Sequence, residues 1–262
     1  MIKNFTIGSD AEVFALSVKD KSVFPVCGLI GGTKKKPKPV AKGYFVQEDN
    51  VLLEFNIPPS KGRDEFIKHM HAGYRHAINC LPPSLKPSLQ ATGHIDKAFL
   101  DIPQACEFGC EPDFNAWTRQ VNPRPFSEDE TLRSAAAHVH LGWDEPTTPD
   151  REAVIRAADV FVSIPSIKED PDRTRRQLYG RAGAFRFKDY GVEHRVLSNY
   201  WIGSQEIVGA VYDRYVKAID FVNSGRTIDE SDAEDIQKAI NTYDWTLGSK
   251  LYKKYAGLLR AA

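Results

Sequence analysis

The stretch HVHLGWD, residues 138–144, sets two histidines one residue apart, with Val139 and Leu141 at the alternate positions. A two-residue period is the mark of a β-strand, whose successive side chains point to opposite faces. Both imidazoles therefore project from one face and both aliphatic groups from the other. The same spacing of polar groups recurs in three other strand-like segments, as Asp10/Glu12, Glu54/Asn56 and Glu193/Arg195. An ordinary antiparallel sheet with one wet face also alternates, but that face commonly carries Thr, Ser, Lys and Gln. Here it carries carboxylate, imidazole, amide and guanidinium, the groups that ligate metals and grip phosphate. The expected fold is α+β, a mainly antiparallel sheet backed by helices.

Bulk properties narrow the function. The chain has 262 residues, with Lys plus Arg and Asp plus Glu both at 35. That length suits one domain spanning residues 1–262 with a sizeable core. Balanced charge gives no overall basic field to draw nucleic acid or an anionic membrane, so neither is an expected partner and any anion site must be local. MIKNFTIGSD lacks the apolar core of a signal peptide, and no run approaches the roughly 20 apolar residues of a membrane span. A cytoplasmic location is expected. Cys27, Cys80, Cys106 and Cys110 form no CxxC pair, and Cys106 with Cys110 alone cannot complete a four-ligand zinc site, so all four read as reduced thiols.

Around the sheet, EVFALSV (12–18) and its KDKS turn predict the first arm of a hairpin, with VFPVCGLIGG (23–32) returning along it. GGTKKKPKPVAKG (31–43) reads as a loop carrying a solvated basic run. NVLLEFNIPP (50–59) is the next strand. GRDEFIKHMHAGYRHAINCL (62–81) carries Phe66, Met70, Tyr74, Ala77 and Ile78 at helical spacing. LQATGHID (89–96) and AAHVHLGWD (136–144) read as strands, separated by an irregular stretch holding GCEPDFNAWT (109–118). TPDREAVIRAADVFVSI (148–164) opens with a helix N-terminal signature. Residues 204–222, 229–240 and 245–259 form amphipathic helices over one side of the sheet.

Carboxylates gathered in one cleft repel and take up protons unless a cation holds them, so the polar face implies a divalent metal. Hard oxygen ligands favour Mg²⁺ or Mn²⁺. Zinc competes through the two histidines, although three or more carboxylates would be unusual for it. Arg173, Arg175, Arg176, Arg181 and Arg186 crowd residues 172–201 ahead of Glu193 and Arg195. The first three read as solvated loop charges. Arg181 and Arg186 bracket the turn into the Glu193 strand, where guanidinium forks suit phosphoryl oxygens. Neither a P-loop nor GxGxxG is present.

Taken in order, GSDAEVFAL, DNVLLEFNIPP, FGCEPDFNAW, HVHLGWD and YGRAGAFRFKDYGVEHRVLSNYW resemble the phage-type COOH–NH2 ligase family of the glutamine synthetase superfamily, over roughly residues 7–205. The resemblance implies a curved antiparallel sheet whose concave face holds ATP and two or three divalent cations, with a helical C-terminal portion. It assigns metal contacts to Asp10, Glu12, Glu54, His138 and Glu193, with His138 and His140 as alternatives for the imidazole ligand. Nucleotide contacts fall to Arg181, Arg186, His140 and Lys34, catalytic contacts to Arg186, Arg195 and His138, and substrate contacts to Asp113 and Asn115. Two departures stand out. Ala135, Ala136 and Ala137 occupy positions where the family often has glycine, and Asp10 replaces the longer glutamate usual in the superfamily. The implied reaction is ATP-dependent amide formation through an acyl phosphate, in the host cytoplasm if the chain is phage-encoded. Its partners would be a small-molecule or peptide carboxylate and an amine. A guanidino-type kinase on the same scaffold and a non-catalytic module keeping the fold are the rival readings. Retention of Glu12, Glu54 and Glu193 argues against the second.

Overall fold

The computed structural model describes residues 1–106 and 113–260. Along the chain run β1 (Thr6–Ser17), β2 (Lys38–Ala41), β3 (Tyr44–Asp49), β4 (Leu52–Asn56), α1 (Arg63–Ile78), β5 (Leu85–Ser88), β6 (Thr92–His94), α2 (Pro103–Cys106), β7 (Phe114–Asn115) and β8 (Leu132–Ser134). They are followed by β9 (Ala137–Gly142), α3 (Thr148–Ala158), α4 (Ile164–Glu169), α5 (Arg175–Leu178), β10 (Ala184–Lys188), β11 (Gly191–His194), α6 (Gln205–Asn223), α7 (Ala233–Asn241) and α8 (Trp245–Arg260). The fold class is the expected one, α+β with a mainly antiparallel sheet. Strand order is β2-β3-β4-β1-β9-β11-β10-β7, and β5 pairs with the far end of β1.

The two-residue period sorts the sheet into unlike faces. Ile7, Ala11 and Val13 of β1, Leu53 and Phe55 of β4, and Val139 and Leu141 of β9 share one core with Phe66 and Met70 of α1 and Val208, Val211 and Tyr215 of α6. Ser204 starts α6 by accepting the Ile207 N–H at 3.2 Å, a side-chain N-cap. Apolar side chains then recur every three or four residues to Phe221, which carries the helix along the sheet's apolar face. A second core joins Phe161, Ile164 and Ile167 to Phe221 of α6, Ile236 and Ile240 of α7, and Leu251 and Tyr255 of α8. Among the described residues no helix is long and apolar enough to cross a membrane.

Several boundaries differ from expectation. Residues 23–32 do not return along β1. The turn closes through the Ser17 N–H to the Ser22 carbonyl and a Leu16–Val23 bridge, after which that edge of β1 passes to β4, Val13 pairing with Leu53 while Val26 donates to the Val51 carbonyl. On its other edge the end of β1 pairs with β5. The basic loop 31–43 contains β2, in which Pro39 is tolerated because β2 lies at the edge. YFVQED, residues 44–49, is a strand absent from the expected set. LQATGHID contributes only β6, which pairs with β8 in a separate two-stranded sheet. The helix expected over 148–164 is α3, a π-helical turn over Asp159–Ser163 and α4 in succession. On α1, Gly73 replaces Tyr74 and Ile78 in the fully buried stripe.

Gly73 marks a close approach of the helix and strand layers. A Cβ there would lie 2.6 Å from Ile57 Cγ2 and 2.8 Å from Phe55 Cδ2. Alanine is favoured over glycine inside a helix by about 1 kcal/mol, whereas forcing a methyl into a packed core costs about 1–3 kcal/mol. With two contacts this short the steric cost wins. Gly73→Ala is expected to lower the urea midpoint of unfolding at an unchanged slope. A raised midpoint would mean that α1 rides farther from β4.

Candidate functional site

Strand pairing places the polar pairs in register across the other face. Asp10 sits between Asn56 and His138, Glu12 opposes Glu54, and Glu54 opposes Gln47. His140 opposes Glu193, which opposes Arg186. Directly opposed residues hold their Cβ atoms about 4.5–5.5 Å apart, close enough for side chains to touch. The result is a polar strip running from β3 to β10, with acids at one end, imidazoles in the middle and guanidinium groups at the other.

At the acidic end, Glu12, Asp49 and Glu54 bring carboxylate oxygens within 4.8 Å of one another. Gln47 donates to Glu54 at 2.8 Å, and the Ala136 N–H donates to Glu12 at 2.6 Å. Ala136 thus turns its backbone towards Glu12, at a position where the family often has glycine. Burial, with the charge of Asp49, pushes the Glu12 carboxyl up to about 8. Burial and its acidic neighbours hold Glu54 well above the usual carboxylate range. Burial raises Asp49 as well, against the pull of Lys34. A trio of buried and half-buried carboxyls, all displaced upward, has the donor set of a hard divalent cation. Mg²⁺ or Mn²⁺ therefore fits these residues.

The imidazoles differ from each other. Burial, reinforced by Arg195, lowers His138 to about 4 and leaves it neutral. Its Nδ1 lies 3.4 Å from Asp10 Oδ1 and 3.6 Å from Glu193 Oε1. His140 is raised, because Asp10, 3.1 Å from its Nε2, outweighs burial. The other nitrogen of His140, Nδ1, is hydrogen-bonded to the Tyr190 hydroxyl. Asp10, His140 and Glu193 form a second group of converging ligand atoms, so the shorter Asp10 still reaches the strip's centre.

At the far end Glu193 is surrounded by cations. It pairs with Arg195, with Arg186 at 3.4 Å and with Lys188 at 2.7 Å. Burial and Asp10 push its carboxyl up, but Arg195, His138 and His140 outweigh them and hold it at about 2. A metal at the Asp10–His140–Glu193 group would compete with these cations, so the acidic trio is the better cation site. Arg195 also donates from Nε to Asp113 at 3.2 Å, which joins Asp113 to the strip.

Not every expected residue joins it. Asn115 engages its amide with backbone, donating to the Ala182 carbonyl and accepting from the Trp117 and Thr118 N–H groups. Arg181 is exposed and donates to the Gln177 carbonyl. Lys34 is exposed and acts on Asp49 through charge. Arg175 and Arg176, expected as solvated, are 3% and 2% exposed. Arg175 donates to the Val196 carbonyl at 2.9 Å and Arg176 to Ser166 Oγ at 2.5 Å, so both brace the backbone around the site. Cys27, Cys80 and Cys106 are free thiols, and Cys110 lies outside the described residues, as does the start of FGCEPDFNAW.

On the apolar side, His194 bonds the Tyr215 hydroxyl at 2.8 Å and lies 3.6 Å from Asp159. Asp159 accepts from Trp117 Nε1 at 2.7 Å and from the Gly183 N–H at 2.6 Å. Gly183 has φ of 76°, and a Cβ there would meet Asn115 Oδ1 at 2.7 Å, so only glycine fits. This network fixes the turn between Arg181 and Arg186. Two cavities flank the strip, about 250 Å³ beside Asp113 and Arg181, and about 360 Å³ beside Asn56, His140 and Tyr190.

Sequence reading missed Asp49 and Gln47, although Phe45, Gln47 and Asp49 of YFVQED show the two-residue spacing seen elsewhere. It also missed Lys188 and Tyr190, which reach the strip from the β10–β11 hairpin.

Fold and site together define an α+β protein with an acidic and a basic half on one face of an antiparallel sheet. Residues 133–243 match the model of the family described as phage phiEco32-like COOH.NH2 ligase-type 2, the family that the ordered motifs resemble. The match covers less than half of the chain; it omits β1 to β4 and extends past the last motif into α6 and α7. No curated protein matches the chain. Among matching solved structures is a bifunctional glutathione synthetase from Pasteurella multocida, at 9% identity and a TM-score of 0.42. That alignment covers 98% of this chain and 52% of the other, so the chain spans about half its length.

The acidic trio makes stability depend on pH. A carboxyl raised in the folded state favours folding below its ordinary value, and that contribution is lost as pH climbs through the folded value. In excess EDTA the unfolding free energy is expected to fall as pH rises from 4.5 to about 8. Glu193 and His138 act oppositely, Glu193 only in more acidic solution and His138 from about 4 up to its ordinary 6.5, so the fall is clearest above that value. Mg²⁺ or Mn²⁺ should flatten the slope by holding the trio ionised. A slope insensitive to either cation would remove the trio as a metal site.

Proposed function

We propose that this chain is an ATP-dependent carboxylate–amine ligase that forms an amide through an acyl phosphate. The observation that carries the reading is the opposition of the Glu12–Asp49–Glu54 trio and the Arg186–Glu193–Arg195 group across His138 and His140. Acids at one end suit a divalent cation and guanidinium groups at the other suit phosphoryl oxygens, the two requirements of a metal–nucleotide complex. The family match adds weight to the same reading.

Glu12, Asp49 and Glu54 would hold Mg²⁺ or Mn²⁺, with Asp10 and an imidazole nearby, and the bound ion would supply charge neutralisation at the phosphates. A substrate carboxylate oxygen attacks the γ-phosphorus and ADP leaves. Arg195 and Arg186 hold the oxygens of the transferring group in line and offset their charge. An amine nitrogen then attacks the acyl carbon, the C–O bond to phosphate breaks, and the amine's proton passes to solvent. His138, neutral and buried, accepts from Arg195 at Nδ1 and so offers its Nε2–H to a phosphoryl oxygen without adding charge. Lys34 and Lys188 extend the positive rim for the nucleotide phosphates.

Hydroxylamine tests this without knowledge of the natural amine, since it converts an acyl phosphate to a hydroxamate. Incubation with ATP, Mg²⁺ and a panel of carboxylic acids is expected to yield hydroxamate, with ADP and phosphate in equal amounts, and Glu12→Gln to abolish it. ADP beside a stable phosphorylated guanidine or alcohol, with no hydroxamate, would favour a kinase. No acceptor-dependent loss of ATP at all would leave a binding module. Arg195→Lys keeps the charge but loses the fork; turnover should drop by about 10²-fold, as for loss of one electrostatic donor. Near-normal turnover in that variant would remove Arg195 from the chemistry.

A further inference from the structure

Among the described residues, the walls of the cavity of about 250 Å³ beside β7 and β10 hold two arginines and one acid. That acid, Asp113, is engaged on both oxygens, accepting from Arg195 at 3.2 Å and from Asn122 at 2.8 Å. Arg124 and Arg181 also line the wall, and among the described residues neither pairs with a carboxylate. Two guanidinium groups thus face a small enclosure whose inner end touches Arg195 through Asp113. The volume is below the 300–1,000 Å³ range typical of drug-sized ligands, so the occupant is small. The opposite cavity, lined by Ile57, Pro59, Gly8 and Tyr190, presents no such positive pair.

Resting on the ligase reading, we propose that the Asp113 cavity is the carboxylate-substrate site and that it selects an acid carrying a second anionic group. The reacting carboxylate lies at the Arg195 end, and the second anion sits on Arg124 and Arg181. That assigns Arg181 to the substrate rather than to the nucleotide. The second anion is a carboxylate or a phosphate-type group, since guanidinium forks accept either. An ammonium in its place is repelled.

The test compares hydroxamate formation from butyrate, glutarate, phosphonopropionate and γ-aminobutyrate in the wild type and in an Arg124→Ala/Arg181→Ala variant. Both arginines are surface groups at a cavity wall, so folding is preserved. Glutarate or phosphonopropionate should half-saturate at roughly tenfold lower concentration than butyrate, the effect of a charge-assisted hydrogen bond. γ-Aminobutyrate should be poorest, and the double variant should collapse the ratio. Whichever dianion is preferred names the second group. Equal use of butyrate and both dianions would overturn the proposal. So would a rise in half-saturation for ATP with the acid ratio unchanged, which would give the pair to the nucleotide. Calorimetry of glutarate and phosphonopropionate without ATP separates this site from the reaction. Binding lost in the double variant, with no hydroxamate from any acid, would uphold the anion site and defeat the ligase reading. Absence of both binding and hydroxamate would overturn the site as well.

Discussion

Carboxylates withdrawn from water beside one another repel, and the sheet's polar face is organised around that repulsion. Glu12 and Glu54 are opposed across β1 and β4, and Asp49 reaches them from β3. Such a trio persists only where something rigid holds it. Rigidity comes from the opposite face of the same strands, where Leu53, Phe55, Val13 and Ala11 are locked against α1 and α6. One alternation serves both purposes, because each step along β1 that sends a carboxyl to one side sends an apolar group to the other. Slipping β1 by one residue would bury Asp10 and Glu12 among the helices, which makes register here a condition of folding as well as of chemistry.

The arginine-bearing half is held differently. Arg186 and Arg195 flank Glu193, and the backbone carrying them is braced from behind by buried polar groups. Arg175 caps the Val196 carbonyl, and Asp159 gathers Trp117 and Gly183 from a π-helical turn beside His194. π-Helical turns are rare and often mark functional regions. This one sets Asp159 and Ser163 together beneath β11, hydrogen-bonded at 3.0 Å. A polar network buried on the helix side is costly unless every partner is met. Its presence beneath the arginine-bearing strands ties the placement of those side chains to the packing of α3, α4 and α6.

Much of this was legible in the residues. The i, i+2 pairs on four strands revealed the polar face, and the same pairs turned out to be in register across the sheet. Strand order and pairing partners were not legible, since alternation states which face a side chain takes but not its neighbour. The hairpin after β1 stops at one bridge because the same edge of β1 is taken by β4, a strand some way down the chain that local turn signals do not announce. Asp49 was hidden by composition. Its strand follows a segment dense in Lys, Gly and Pro, and edge strands are the place where such residues are tolerated. Arg175 and Arg176 looked solvated because charge predicts exposure on average; only the carbonyls and hydroxyl that they meet in three dimensions explain their burial.

The ordering of charge along the strip gives the face an electric polarity. From β3 to β10 it passes from carboxyl through imidazole to guanidinium, so once the acidic trio is ionised the potential changes sign across a few strand widths. A ligand that carries a cation at one end and an anion at the other meets a surface it can match in one orientation only. Reversal would set metal against arginine and phosphate against glutamate. Orientation is therefore decided by the field over the sheet before close contacts form, and salt, by shortening that field, should relax the choice of direction before it abolishes affinity.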